Sequence, residues 1–463
     1  MTSLAGERPR ISALIMVAGV AVAASVFLAS ASMRSSVVII LGAMACILAF
    51  MNAELSIYFL IFAMLLSPEL EVGQTERGAS LGRAVTLRVD DFLILVISGT
   101  WFLKSVLYKE VDLIRRTSLN AAIFVYALLC VVSTMLGMVE GLVVVKTGSL
   151  FVLKYIEYFV IFFMAVNITR DMVQLRRFMV VVFLVAAIVA VVGIAQIPTG
   201  QRVSAPFEGP NGEPNTLGGY LLLMMGTLGG IALTDKRYRV LSVTLLVVLM
   251  MAFLYTLSRS SYLGFIPLLL LLPLLTRKYL MLLVVSLFLL VAVTVPQSVL
   301  PASVFKRIAF TFNQKTRNQQ AKVFGTAVDT STTARIFYMQ AALDAFFDHP
   351  ILGWGVTGWH FLDSQYFRTL VETGMLGLSS FLFLLFRVFQ VTWRAREAVR
   401  GDPLLFGFTS GFLAGFVGLM VHAIGANTFI IVRIMEPFWL FVALIWILSE
   451  VAPRQGDPLA LPV

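Results

Sequence analysis

Fourteen long apolar runs constrain the fold of this chain more than any other feature. They recur along almost all of its 463 residues, at 11–33, 36–51, 54–68, 91–107, 118–138, 149–168, 175–197, 214–234, 239–257, 260–276, 279–299, 370–393, 404–423 and 431–449. A helix needs about 20 such residues to cross a bilayer, so each run is a candidate span, although 54–68 is short. Barrel strands alternate apolar and polar positions, and these runs do not. The runs predict an all-α polytopic membrane protein with about 14 transmembrane helices, in a range of about 12–14.

The amino-acid composition also indicates an integral membrane protein. Hydrophobic residues make up 59% of the sequence and charged residues 13%, against about 25% charged in an average soluble domain. The two cysteines, Cys46 and Cys130, lie within apolar runs, which excludes a disulfide scaffold and a cysteine-based zinc site. Three histidines argue against a multi-histidine metal centre. We therefore expect neither a metal nor a cofactor.

Lysine and arginine predict the orientation, because they accumulate in short cytoplasmic segments. With Arg8 and Arg10 inside, both termini of a fourteen-span chain are cytoplasmic. The first run is longer than the apolar part of a typical signal peptide, which favours an uncleaved anchor. The net charge of +10 follows this pattern rather than one basic face, so no nucleic-acid partner is expected. The sequence divides into N-terminal spans at 1–299, a long outer loop at 300–369 and C-terminal spans at 370–463.

The outer loop is the one sizeable polar segment of the sequence. Its first half, with Lys306, Arg307, Lys315 and Arg317, is polar and is expected to be mobile. Its second half predicts an amphipathic helix from five apolar residues at helical spacing, namely Ile336, Met339, Ala342, Leu343 and Phe346. We expect Thr332 or Thr333 to cap this helix and His349–Pro350 to end it.

Charged residues that break the positive-inside trend gather at the outer face. Arg259 lies between two runs with almost no loop, where an unpaired charge is costly. The same face carries Arg202, Lys154 with Glu157, Arg433 with Glu436, and, from the loop and the helix after it, Arg335, His360, Asp363 and Glu372. A guanidinium binds two phosphate oxygens at once and keeps its charge, and a nearby carboxylate can take a proton from a hydroxyl. The pattern favours a lipid-linked pyrophosphate as ligand.

Several short motifs follow one another in these outer segments. One set extends from Arg335 through His349-Pro350-Ile351-Leu352-Gly353-Trp354-Gly355 to Tyr366, Glu372-Thr373-Gly374 and Gly377; others are Arg259 to Leu263 and Arg202 to Tyr220. In order and spacing they resemble the O-antigen ligase and O-antigen polymerase superfamily of bacterial envelope glycosyltransferases. The likeness covers most of the chain, from the fourth run to the last. Asp363 stands where the ligase pattern has histidine, which favours a polymerase of O-antigen or exopolysaccharide.

The resemblance implies a GT-C-like glycosyltransferase of the bacterial inner membrane that works on the periplasmic face, without a metal and with inversion. Its donor would be a glycan on polyprenyl pyrophosphate, its acceptor another glycan or lipid A core, and a chain-length regulator would be a possible partner. Asp363 or His360 would be the catalytic base. The pyrophosphate would be bound by Arg259, Arg335, Arg202 and Lys154, with supporting roles for Glu157, Tyr366, Glu372, Arg433 and Glu436.

Other interpretations of the same residues stay open. Asp363 could cap the helix that follows it. The pairs Lys154–Glu157 and Arg433–Glu436 could hold helices together, and Glu372 with the glycines after it could serve helix packing. For the whole chain, the alternatives are a ligase to lipid A core and a polysaccharide flippase or secondary transporter. Transporters often show internal repeats with sites at mid-membrane, and neither feature is found here.

Overall fold

The computed structural model describes residues 52–71, 86–108, 115–208, 212–299, 301–314, 320–323 and 326–455. The apolar runs at 11–33 and 36–51, with the expected anchor, lie outside these residues. The described helices are α1 (Ala53–Leu66), α2 (Val89–Tyr108), α3 (Asn120–Val139), α4 (Val145–Ile168), α5 (Met172–Gln196), α6 (Pro214–Thr234), α7 (Arg239–Tyr255), α8 (Arg259–Leu275), α9 (Tyr279–Thr294), α10 (Pro296–Val299), α11 (Ala302–Asn313), α12 (Thr330–Asp348), α13 (Gln365–Ala398), α14 (Pro403–His422) and α15 (Val432–Gln455).

Two short antiparallel strand pairs accompany the helices. Strand β1 (Glu69–Glu71) pairs with β2 (Thr86–Arg88), and β3 (Lys322–Val323) pairs with β4 (Thr326–Ala327). Each pair lies in a connection between two helices, and the larger elements of the described residues are all helices.

Each of the twelve apolar runs beyond residue 52 coincides with a helix, as the sequence predicts. Among the described residues, seven helices are long and apolar enough to cross a membrane, namely α3, α4, α5, α6, α13, α14 and α15. Four more apolar helices, α1, α7, α8 and α9, are shorter. The chain is therefore a multi-pass α-helical membrane protein. The count of fourteen spans and the GT-C arrangement stay predictions.

Helix α6 lies at the centre of the bundle, with nearly all of its length buried. It meets α14 through glycines, and a Cβ added at Gly230 would lie 2.0 Å from the carbonyl oxygen of Gly407. In the same way, a Cβ at Gly411 would lie 2.2 Å from the oxygen of Gly226. Small residues let membrane helices approach to backbone contact, and this contact fixes the helices that flank the outer connections.

Helix α13 is broken at Gly374, which has φ +66° and ψ −168°. The segment after α12 docks at this break: the Met375 amide donates to the Pro350 carbonyl and the Trp354 amide to the Val371 carbonyl, both at 2.9 Å. The motifs around residues 350 and 374, distant in the sequence, are thus one structural unit. This unit fixes the short connection that carries Asp363.

The long loop is more ordered than the sequence predicts. Its polar first half, for which no helix is predicted, contains α11. The second helix is present as α12, with His349 at its C-terminal end. Its cap is Asp329, whose side chain accepts from the Thr332 amide, so the predicted threonine cap is wrong. The expected apolar face is only partly inward, because Leu343 is 40% exposed.

Candidate functional site

Arg259 is the first residue of α8 and joins that helix to the outer loop. Ser258 caps α8 by accepting from the Ser261 amide. The Arg259 Nη1 group donates to Asp329 Oδ2 and Thr311 Oγ1, both at 2.8 Å, and to Thr332 Oγ1 at 3.2 Å. One guanidinium therefore holds the end of α11 and the start of α12 against the membrane helices.

Asp329 is the partner that compensates the Arg259 charge. Its side chain is only 2% exposed. Burial by itself raises the pKa of this carboxyl, but hydrogen bonds from the Thr332 side chain and amide and the charge of Arg259 outweigh it and hold the pKa below its usual value. Asp329 is thus a fixed negative charge that orients Arg259.

Arg335, from α12, pairs with Asp363 from the connection before α13. The Arg335 Nε and Nη2 groups both reach Asp363 Oδ2, at 2.9 Å and 2.8 Å. About a quarter of each side chain is exposed, 26% and 28%, so the pair is open to a ligand. Helix α13 begins at Gln365, with Ser364 at its cap position. Asp363 does not cap this helix, and that alternative is wrong.

Arg202 lies in the connection between α5 and α6. Its Nε and Nη2 groups donate to the carbonyls of Thr256 and Leu257 at the end of α7, at 3.1 Å and 3.2 Å. Burial, together with the positive charges of Arg307 and Arg259, lowers the pKa of Arg202 to about 10. Since Leu257 lies two residues before Arg259, these hydrogen bonds hold Arg202 beside the start of α8.

Arg307, on α11, is a member of this group that the sequence analysis missed. Its Nε atom is buried and has no hydrogen-bond partner among the described residues. Burial and the charge of Arg259 lower the pKa of Arg307. A helical pattern was available as a signal, because Val304, Ile308 and Thr311 share a face with Arg307. The polar residues around it indicate a mobile loop instead, so the sequence analysis does not assign Arg307 to the site.

We call Arg202, Arg259, Arg307 and Arg335 the arginine cluster. Two carboxylates, Asp329 and Asp363, pair with it, which leaves two positive charges without a negative partner among the described residues. Because guanidinium groups bind phosphate oxygens in pairs and stay charged, such a surplus favours a multivalent anion.

Lys154 and Glu157 are brought together, but their contacts are with other groups. Lys154 pairs with Asp91 at the start of α2 and with Glu157 Oε2 at 3.3 Å. None of the contacts found for Lys154 involves the arginine cluster. Its predicted role in pyrophosphate binding has no support in this geometry.

Arg433 and Glu436, one turn apart on α15, have different surroundings. Arg433 is 2% exposed and donates to the carbonyls of Leu65, Pro206 and Ser67, at 2.9, 2.8 and 3.2 Å. Glu436 Oε2 lies 3.5 Å from Arg88 Nη2. Arg433 therefore links α15 to the end of α1 and to the connection that carries Arg202.

Glu372 and Tyr366 have structural partners. The Glu372 carboxylate accepts from the Arg368 side chain and the Thr357 amide, both at 3.0 Å. The Tyr366 hydroxyl donates to the Met420 carbonyl at 2.7 Å.

His360 is exposed, with its ring 5.3 Å from that of Trp359. Of the two predicted catalytic residues, only Asp363 contacts the arginine cluster in the described geometry.

Comparison with known families adds one finding. Residues 243–382 match the family model described as O-antigen ligase. The matched segment begins within α7 and ends within α13, so it includes three members of the arginine cluster together with Asp329 and Asp363. No curated protein matches the chain.

Proposed function

We propose that the chain belongs to the O-antigen ligase and polymerase superfamily, a proposal supported by the match of residues 243–382 to the family model described as O-antigen ligase. On this premise, the protein polymerises O-antigen or exopolysaccharide from a polyprenyl-pyrophosphate donor. The arginine cluster carries the proposal, because its two surplus charges match an anion with at least two negative charges. The active face is periplasmic, both termini are cytoplasmic, and the spans form a GT-C-like bundle in the bacterial inner membrane.

The cluster would bind the pyrophosphate of the donor. Arg259 and Arg335 are linked through α12, since Arg259 donates to Thr332, one turn before Arg335. Arg307 adds a buried Nε donor that has no partner among the described residues, and Arg202 adds a further charge. When the bond to the sugar breaks, negative charge grows on the leaving pyrophosphate, and fixed guanidinium groups stabilise it.

Asp363 would act as the base. The acceptor hydroxyl attacks the anomeric carbon on the face opposite the pyrophosphate, its proton passes to the Asp363 carboxylate, and the lipid pyrophosphate leaves with the bonding electrons. No metal is needed in this scheme. Without donor, Arg335 holds Asp363 in an ion pair. Pyrophosphate competes for the same guanidinium, so donor binding releases the carboxylate for proton transfer.

A ligase to lipid A core is the second candidate, because the matched model is described as O-antigen ligase. The same donor site serves both reactions, and only the acceptor differs. A chain-length regulator would be a partner of the polymerase alone.

The test compares two neighbouring residues of α11 in cells that lack the native gene. Arg307→Ala is expected to abolish full-length glycan, whereas Lys306→Ala leaves it unchanged, because Lys306 is exposed. Gel banding of surface glycan is the measurement, at matched protein levels. A single repeat unit on core indicates a lost polymerase, and full polymer on its lipid carrier a lost ligase. Normal glycan from Arg259→Ala and Arg335→Ala would contradict the proposed site.

A further inference from the structure

Three carboxylates from three helices meet inside the bundle. Asp90 at the start of α2, Glu157 within α4 and Glu436 in the first turns of α15 each place one oxygen within 4.8 Å of the others. Asp90 and Glu436 are fully buried, and the Glu157 side chain is 10% exposed. We call these three residues the acidic triad.

Neighbouring cations compensate this group only in part. Arg88 lies 2.5 Å from Asp90 and 3.5 Å from Glu436. Lys154 contributes the other positive charge but also pairs with Asp91, a fourth carboxylate. Four carboxylates thus face two cations, which leaves two negative charges uncompensated within this set. Burying such a charge without a partner is strongly unfavourable.

Hydrogen bonding gives a second, independent indication of a missing ligand. Asp90 Oδ1 accepts from the Ser67 hydroxyl at 2.6 Å. By contrast, the buried oxygens Glu436 Oε1 and Glu157 Oε1 accept no hydrogen bond from an N–H or O–H donor in the described part of the chain, and the two side chains lie against the carboxyl groups of Asp90 and Asp91. Buried polar atoms are nearly always satisfied in folded proteins. Two unsatisfied carboxylate oxygens in one group point to a ligand that accepts electron pairs from both.

The hydrogen bonds described for the Arg433 guanidinium are not with the acidic triad. Arg433 lies one turn from Glu436, but its guanidinium is directed to the carbonyls of Leu65, Ser67 and Pro206. Arg433 Nε also lies 3.9 Å from Glu208 Oε1.

We propose that the acidic triad binds one divalent cation with the oxygen preference of Ca²⁺. Ca²⁺ takes carboxylate oxygens at about 2.3–2.6 Å, so two of its ligands can lie about 5 Å apart, and the observed spacing fits within that distance. One such ion supplies the two missing positive charges and satisfies the free oxygens. Its role is to hold α2, α4 and α15 together, and it takes no part in the transfer reaction.

Calcium binding to the purified full-length protein in detergent tests the proposal. After removal of metal with EDTA, ⁴⁵Ca²⁺ equilibrium dialysis should give saturable binding of one ion per chain, and CaCl₂ should raise the melting temperature. Glu436→Gln and Glu157→Gln should each weaken binding by about tenfold or more. Asp344→Asn is the matched control, since Asp344 is an exposed carboxylate of α12, and it should bind as the wild type does.

The wild-type protein alone decides the outcome if a variant fails to fold. Absence of saturable binding, with the same melting temperature in CaCl₂ and in EDTA, would overturn the proposal and indicate that bound protons neutralise the triad. Binding that survives in both glutamine variants would overturn it as well, because the ion would then lie elsewhere.

Discussion

At the scale of single residues, the two arginine–carboxylate pairs of the site differ in burial and in number of hydrogen bonds, which indicates different roles. Arg259 has three acceptors and a nearly buried partner in Asp329, so its position is fixed by the fold. Arg335 has one partner, Asp363, and both are partly exposed. The Arg259–Asp329 pair therefore fixes the position of the loop helices. In the proposed mechanism, Arg335 exchanges Asp363 for the ligand.

Replacing Asp363 should separate catalysis from binding. We expect Asp363→Asn to lower kcat for glycan transfer by about 10²–10⁴-fold, the usual contribution of a general base. KM for the lipid-linked donor should stay the same or fall, because Arg335 no longer has a charged competitor. His360→Gln, a change in the exposed histidine nearby, should retain the wild-type kcat. A normal kcat for Asp363→Asn in a purified transfer assay would exclude Asp363 as the base.

At the scale of elements, the break in α13 determines where the outer connection lies. Gly374 adopts φ +66°, a conformation that favours glycine, and it allows the carbonyl of Ile351 to approach closely. Without the break, α13 would run on as one straight helix, and the docked segment before it would lose its hydrogen-bond partners.

Gly374→Ala should therefore destabilise the protein. Its Cβ would lie 2.3 Å from the Ile351 carbonyl oxygen, and the strained φ adds about 1–3 kcal/mol. We expect a lower melting temperature and less glycan in cells, read by thermal unfolding in detergent and by gel banding. Gly401→Ala is the matched control, since a Cβ there meets nothing within 4 Å. Equal melting temperatures for the two variants would show that the break is not required.

The sequence predicted elements more successfully than it predicted contacts. Continuous apolar runs are a strong signal, and every described run became a helix. Helix α11 is not predicted, because basic and amide side chains around it favour a polar, mobile loop, and the position of Arg307 on a helix is therefore not predicted either. Resemblance pointed to Arg335 and Asp363 separately, but nothing in their spacing of 28 residues shows that they form an ion pair. Asp90 and Glu436 lie 346 positions apart, so only the folded chain brings them together.

At the scale of the whole molecule, the arginine cluster and the acidic triad are distinct centres joined by one connection. The segment before α6 carries Arg202 at one end, and the Pro206 carbonyl on the same segment accepts from Arg433 on α15. Displacement of α15 would therefore shift Arg202, and with it one member of the arginine cluster.

The proposed orientation makes a prediction for the whole chain. Alkaline phosphatase fused after residue 463 should be inactive, because that enzyme folds only outside the cytoplasm, and a fluorescent protein at the same position should be bright. Phosphatase inserted within 315–319, between α11 and α12, should be active. Activity from the C-terminal fusion would place the chain the other way round and move the arginine cluster to the cytoplasmic side.

The glycine contact between α6 and α14 limits how this enzyme can accommodate a bulky substrate. Where two helices touch backbone to backbone, neither has side chains that can change rotamer to make room. The contact between α6 and α14 is thus rigid. In the proposed reaction, the movement that admits a prenyl tail or a growing sugar chain is therefore expected in peripheral helices such as α9, whose described residues are largely exposed.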